Sequence, residues 1–399
     1  MKLAYVIDTF PRKSELFLRR EIDELRRQGV EIRVFSICRP AEGTGSIYRR
    51  RPEQSEGRGG RIVPVPFPNV TYLPRLSFDI PGILSAAFRI AGIAGANPRL
   101  LLARTLRSPA AAALASALET EAFDAVHAHF LGVASTLAMA ASRMAGVPLT
   151  ISAHADDIFR SGEAIPAKGR HARAVFACCR ANVKELVRRR VPEEKIHVAY
   201  HGLPPAGTDT SRPSDPPLVL AMGRFVEKKG FEYLIAALRE LPRWREDFRC
   251  VICGDGPLRG ELEKEARATG IADRVEFPGW VDDDEKARLY SRAAVLVCPS
   301  VVAGDGDRDG VPNVILEAMA HGVPAVGTDA GGIPEAIDDG VTGIVVPQHD
   351  PALLVKGIGR ILTDDRLREG MSENARALVA DRFDLAKNVG VLREVWESY

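Results

Sequence analysis

Long apolar runs are missing from this chain of 399 residues: no run of eighteen apolar residues free of charge occurs. A membrane-spanning helix needs about twenty, so none is expected. The opening "MKLAYVIDTF" reads as a strand, because Asp8 ends its apolar run early. A signal peptide needs a longer apolar region and a small-residue cleavage site. A cytoplasmic protein is therefore expected. Aromatic residues are scarce, at 6%, and they do not interleave with basic ones in the manner of a base-stacking surface. Nucleic acid is not an expected partner. Cysteines number six. Cys250 and Cys253 form a C-x-x-C, but within "FRCVICGDG", a buried strand running into a glycine turn. Alternation along a strand points them apart, so core cysteines are expected rather than a metal or redox pair. Adjacent Cys178 and Cys179 read the same way.

Net charge is also small, at +1, but this hides an asymmetry. Residues 1–200 carry 30 Lys/Arg against 19 Asp/Glu, or +11, and the remainder carries 24 against 34, or −10. A basic first half suits an anionic partner, either a lipid surface or a phosphate-bearing acceptor. Solvated helix faces are the plainer alternative.

What is present is alternation. "KLAYVID", "VEIRVFSI", "AFDAVHAHF", "PLTISAHADDI", "RAVFACCR" and "IHVAYHGLP" read as strands, with amphipathic helices between them. "SELFLRREIDELRRQG" is one such helix, capped by Ser14 and ended at Gly29. Residues 40–70 read as loop, and residues 80–118 as helical segments broken at Pro98 and Pro109. After the linker-like "PAGTDTSRPSDPP" the pattern restarts with "LVLAMGR", "FRCVICGDG", "RVEFPGW", "VLVCPS", "PAVGTD" and "TGIVVP". Short strands alternating with helices predict an α/β protein with parallel sheets covered on both faces. Two doubly wound, Rossmann-like domains are expected: residues 1–205, a linker at 206–217, and residues 218–380. A final helix over 381–399 is expected to return to the first domain. Ligands of such sheets bind beyond the carboxyl ends of the strands, which makes the central cleft the expected site.

The stretch "GDGDRDGVPNVILEAMAHG" begins like a cation loop, with Asp305, Asp307 and Asp309 alternating before Gly310. A calcium loop needs its bidentate Glu at the twelfth position. Counted from Asp305 that position is Leu316, and Glu317 comes one too late. A better reading makes the acids acceptors for hydroxyl groups. Asp309 and Glu317 stand eight apart, Gly310 and Val311 are placed to open a helix and hold phosphate, and Asp305 and Asp307 remain loop charges. In "AMGRFVEKKGFEYL", Arg224 follows a strand tip and Lys229 precedes a helix. Two cations beside a helix start suit a diphosphate, although two surface cations at a turn would read alike. Gly254 and Gly256 of "CGDGPLRG" lack dinucleotide-fingerprint spacing and read as a tight turn giving a ligand access to backbone. "FPGWV", with Trp280, ends the next strand and suits either the border of a nucleobase or the core.

"GRFVEKKG", "GDGP", "PGWV" and "DGVPNVILEAMAHGVPAVGTDAGGIPE" resemble the nucleotide-sugar half of glycosyltransferase family 4, retaining enzymes of the GT-B fold. The resemblance implies that Asp309 meets the transferred sugar, that the amides of Gly310 and Val311 meet the phosphate, and that Glu317 meets the ribose. Arg224 and Lys229 match the pair that holds the diphosphate. The family usually has Glu where Asp309 stands, and the shorter side chain loses about 1.5 Å of reach. "DTFPRKSELFLRREI", "HAHF" and "ISAHADDIF" are similar to bacterial exopolysaccharide glycosyltransferases of the colanic-acid type. That likeness places His154 against the donor sugar and makes Glu15, Asp157 and His129 acceptor-side candidates. His127 and His129 offer no third ligand in view, so no metal site is expected there.

The resemblance implies transfer of a hexose-type sugar from a UDP- or GDP-sugar to a saccharide or lipid-linked saccharide. No cofactor and no metal are implied, and the protein could sit peripherally at the inner face of the cytoplasmic membrane. Arg224, Lys229 and helix-start amides would stabilise the leaving phosphate. Two rivals remain open: a nucleotide-sugar epimerase of related fold, and a non-catalytic sugar-nucleotide-binding assembly subunit.

Overall fold

The computed structural model describes residues 1–11, 15–40, 69–74, 80–94, 107–205 and 213–398. The Ser14 cap, most of the 40–70 loop, Pro98 and the centre of the linker lie outside these residues. The chain divides into two compact units. One comprises Met1–Cys178, Val183–Ala199 and Val389–Tyr399, and the other Cys179–Asn182 and Tyr200–Asn388.

The first unit holds a seven-stranded, wholly parallel sheet. Its strands are β1 (Lys2–Thr9), β2 (Glu31–Cys38), β3 (Val70–Tyr72), β4 (Ala125–His129), β5 (Leu149–Ala153), β6 (Ala174–Ala177) and β7 (Ile196–Val198), ordered β3-β2-β1-β4-β5-β6-β7. The run Leu3–Ile7 is buried throughout, as a strand covered on both faces requires. Leu16–Arg27 is helical and turns into β2 through Gly29 at φ +86°. Pro109 does not break a helix; it lies in the first turn of Ser108–Thr120, where a missing N–H costs nothing. Gly146 ends helix Val133–Ala145 in the left-handed conformation, as its position in the sequence requires. Within the same unit the Trp396 indole N–H donates to the Thr150 hydroxyl at 2.9 Å, which ties the last helix, Leu385–Glu397, to the sheet.

In the second unit the six-stranded parallel sheet runs β10-β9-β8-β11-β12-β13. These strands are β8 (Leu218–Met222), β9 (Arg249–Cys253), β10 (Val275–Gly279), β11 (Ala293–Cys298), β12 (Ala325–Thr328) and β13 (Gly343–Val346). Its core joins Val219, Ala221, Ile252, Val295 and Val326 to the apolar face of helix Phe231–Glu240. Helices Pro351–Thr363 and Asp365–Arg382 follow β13; Asp350 and Asp364 cap them, accepting from Leu353 N and Leu367 N at 2.9 and 3.0 Å.

In each unit the strand order reverses once, between β1 and β4 and between β8 and β11. Connections leave such a switch point in opposite directions, which opens a crevice beyond the carboxyl ends of the two strands. Arg224, Lys229, Asp309 and His129 are among the candidates that lie at these two places.

Candidate active site

At the second unit's switch point, β8 runs through Gly223 into Arg224, which is exposed and makes no ion pair among the described residues. A 3-10 turn, Glu227–Lys229, then carries two lysines to Gly230, whose φ of +61° starts helix Phe231–Glu240. A Cβ on Gly230 would fall 2.1 Å from the Pro299 carbonyl oxygen, so only glycine fits between the two strand tips. Lys229 Nζ donates to Asp309 Oδ2 at 2.7 Å, and Ser300 Oγ donates to the same oxygen at 2.8 Å. Lys228 Nζ lies 3.0 Å from Asp307 Oδ1 and 3.6 Å from Asp309 Oδ1. Burial acts to lower the Lys229 ammonium, but the Asp309 charge outweighs it and holds the ammonium above its usual range. At Asp309 burial is likewise outweighed, by Lys229 and Lys228, and the carboxylate sits below its ordinary value.

Two expectations change here. Asp307 is not a solvated loop charge; it is buried against Lys228, while Asp305 Oδ1 accepts the Asp307 N–H at 2.9 Å. Gly310 and Val311 do not open the helix, which runs Asn313–Ala320 after Pro312. The peptide joining Gly310 to Val311 is instead packed under a double-glycine turn. A Cβ on Gly332 would meet Gly310 C at 2.7 Å and Val311 N at 2.8 Å.

Glu317 lies one turn into that helix. Its Oε2 accepts from Lys286 Nζ at 2.8 Å and from Tyr290 Oη at 3.2 Å. Lys286 and Tyr290 were not foreseen. They lie four apart on helix Asp283–Arg292, the spacing that aligns side chains on one face, but only the fold shows that this face meets Glu317. Gly254 and Gly256 pack closely against the chain's own backbone. Cβ atoms there would meet Gly223 O at 1.8 Å and Phe225 O at 2.5 Å. Trp280 is 65% exposed just beyond β10. Cys250 and Cys253 are free and buried, and burial pushes the Cys253 thiol up to about 12, which leaves it a core residue.

At the first unit's switch point, Ile7 of β1 pairs with His129 of β4. His127 and His129 share one face of β4, with ring centroids 4.8 Å apart. A third group does come into reach, contrary to expectation: Glu21 of helix Leu16–Arg27, whose Oε1 accepts from His129 Nε2 at 2.9 Å and from Tyr5 Oη at 3.1 Å. The His127 nitrogens are already engaged, by the Thr150 hydroxyl at 2.8 Å and the Ser152 hydroxyl at 3.1 Å. The cluster is thus a hydrogen-bonded network rather than a set of free ligands.

His154 follows β5, with its ring 4.6 Å from Phe130 and 5.3 Å from Phe17. Its backbone N–H donates to Asp157 Oδ2 at 3.2 Å. Asp157 is buried, and burial raises its carboxyl to about 7 against the opposing hydrogen bonds from the His154 and Leu131 amides. Lys168, fully buried, donates to Leu131 O at 2.5 Å and Gly132 O at 2.7 Å. Asp157 and Lys168 therefore hold the turn that leads from β4 into helix Val133–Ala145. Glu15 stands at the N-cap of helix Leu16–Arg27 without a capping bond from its side chain.

Each of the two Rossmann-like units gathers polar groups at its switch point. The sequence matches the model described as "Glycosyl transferases group 1" over residues 208–378 and that described as "Glycosyltransferase Family 4" over residues 14–206. It is 31% identical to the alpha-D-kanosaminyltransferase of Streptomyces kanamyceticus, over 95% of this chain and 99% of that one. The putative colanic acid biosynthesis glycosyltransferase WcaL of Salmonella typhimurium is 32% identical over 48% of each chain. In fold the chain is similar to HepE of Anabaena, solved with UDP and glucose, at a TM-score of 0.74 and 20% identity over the full length of both. The chain belongs to glycosyltransferase family 4, and it is a glycosyltransferase of the GT-B fold.

Proposed function

We propose that this glycosyltransferase moves a hexose-type sugar from a UDP- or GDP-sugar to a hydroxyl of a saccharide acceptor, lipid-linked, in exopolysaccharide or cell-surface glycan synthesis. The transfer proceeds with retention and without metal. One observation carries the reading: at the second unit's switch point the exposed Arg224 stands beside the Lys229–Asp309 pair. Arg224 brings a planar fork to a diphosphate, and Lys229 a compact charge already fixed in place. Preorganised cations of this kind stabilise charge on a leaving group. Asp307 and Asp309 are engaged by Lys228 and Lys229, and Asp305 by the Asp307 N–H, which supports work within the site rather than as ligands of a metal ion.

In the proposed step the bond from the anomeric carbon to the diphosphate oxygen breaks as the acceptor oxygen bonds to that carbon on the same face. The acceptor's proton passes to the departing phosphate oxygen, and the nucleoside diphosphate leaves. His154 contacts the donor sugar, and Glu317 exchanges its bonds from Lys286 and Tyr290 for ribose hydroxyls. The named activities of the kanosaminyltransferase and the colanic acid protein support transfer to saccharides over epimerisation or a non-catalytic role. The surplus of basic residues in the first half supports a peripheral place at the inner face of the cytoplasmic membrane. Among the described residues no helix is long and apolar enough to cross a membrane.

The test is release of nucleotide from UDP-glucose and GDP-mannose in EDTA with a panel of saccharide acceptors, the product's anomeric configuration being read by proton NMR. An α-linked product from an α-linked donor, formed in EDTA, is expected. An inverted product, or release only with added divalent metal, overturns the reading.

A further inference from the structure

The site residues foreseen from the sequence include His129 but nothing that sets its chemistry. His129 is almost fully buried at the tip of β4, beside the β1/β4 switch point. Its Nε2 lies 2.9 Å from Glu21 Oε1, and its Nδ1 is buried without a hydrogen-bond partner among the described residues. A carboxylate accepts only, so the nitrogen that faces it must carry the hydrogen. In the neutral ring Nδ1 is then a bare lone pair. Native proteins rarely leave such an atom unmatched, and a catalytic role is one of the reasons for the exceptions. Glu21 is itself held: Tyr5, fully buried on β1, donates its hydroxyl to the same Oε1 at 3.1 Å. The rings of Tyr5 and His127 pack against His129 at 5.6 and 4.8 Å, which leaves the imidazole little freedom to flip.

We infer that Glu21 is a positioning residue for sugar transfer. With Tyr5 it locks His129 in the Nε2–H form and makes Nδ1 an acceptor for a substrate hydroxyl at the strand tip. A flipped or Nδ1-protonated ring would turn a donor toward that hydroxyl and lose the contact. The inference rests on the sugar-transfer reading only for the identity of the hydroxyl; the state of the ring is a property of the free protein.

The experiment is long-range nitrogen–proton NMR of the full chain labelled with 15N-histidine, with His129 assigned by substitution. Wild type is expected to show His129 wholly as the Nε2–H tautomer. Glu21→Gln, whose amide oxygen still accepts, is expected to keep it. Glu21→Leu, which offers no acceptor, is expected to give a mixture. An Nδ1–H or doubly protonated His129 in wild type overturns the inference by itself, even if Glu21→Leu fails to fold. An unchanged tautomer in a folded Glu21→Leu overturns it too. No substrate enters this measurement, so failure of the proposed reaction and failure of this inference are separable.

Discussion

The two units share a strand order through their first six positions and a switch point, yet they stock it with different chemistry. In the second, full charges meet: Lys228 and Lys229 face Asp307 and Asp309 across the tips of β8 and β11, with Arg224 left exposed beside them. In the first, imidazoles and aromatics gather around β1, β4 and β5 with the carboxyl groups of Glu21 and Asp157. Fixed opposite charges suit a ligand that arrives already charged, as a diphosphate does. Hydrogen-bonding rings in an apolar setting suit hydroxyl groups, which are read by direction. The proposed division, a diphosphate at one switch point and sugar hydroxyls at the other, rests on a few side chains at the strand tips.

The contrast can be broken from the charged side first. Lys229→Met leaves the buried Asp309 short of its nearest cation and should destabilise the protein by about 3 kcal/mol, since breaking a buried pair strands its partner. Urea unfolding measures this. The double variant Lys229→Met/Asp309→Leu should be less destabilised than the sum of the two single changes. Additive effects would show that the two side chains do not act as a pair.

Arg224→Ala should behave in the opposite way. Stability should stay within about 0.5 kcal/mol, as for other exposed positions. Nucleoside diphosphate binding should fall by about 2 kcal/mol, the worth of a charge-assisted contact, which calorimetry would read. A stability loss without a binding loss would remove Arg224 from the diphosphate site.

On the neutral side, Asp157 sharpens the comparison through pH. Its carboxyl is raised from an ordinary 3.8 to about 7 by burial. The folded protein therefore holds this proton more tightly than the unfolded chain does. The resulting stability is fully present below about pH 4 and is lost as pH rises toward 7, at no more than about 1.4 kcal/mol per pH unit. Asp157→Asn should flatten that part of the unfolding profile; an unchanged slope would assign it to other groups. The smallest effect expected is that of Trp396→Phe, which removes the hydrogen bond to Thr150 and should cost about 1 kcal/mol in thermal unfolding.

Much of the fold was legible because strands buried on both faces read as apolar runs, and helices between them carry their own stops, such as Gly29 and Gly146. Helices Pro351–Thr363 and Asp365–Arg382 were missed. The expected alternation with strands ends at β13, although the capping aspartates Asp350 and Asp364 and apolar residues at helical spacing, such as Leu354, Ile358 and Ile361, mark helices there. Strand β3, of three residues, is too short to show a pattern. The charged site was legible as a set of residue types but not as a set of partners. Adjacent lysines cannot be told apart by spacing, and only packing shows that Lys228 is buried on Asp307. Glu21 was hidden for another reason: it reaches His129 across 108 residues of chain, and within its own helix it reads as an ordinary polar position.

The central claim is that the second unit holds a nucleoside diphosphate through fixed cations without a metal. Its most direct test is the thermal midpoint of wild type and Arg224→Ala with UDP, GDP and ADP, each in EDTA, since a ligand of the native state raises the midpoint by mass action. A rise with UDP or GDP that Arg224→Ala abolishes is the predicted result. No rise with any of them, or a rise only when divalent metal replaces EDTA, would contradict the account.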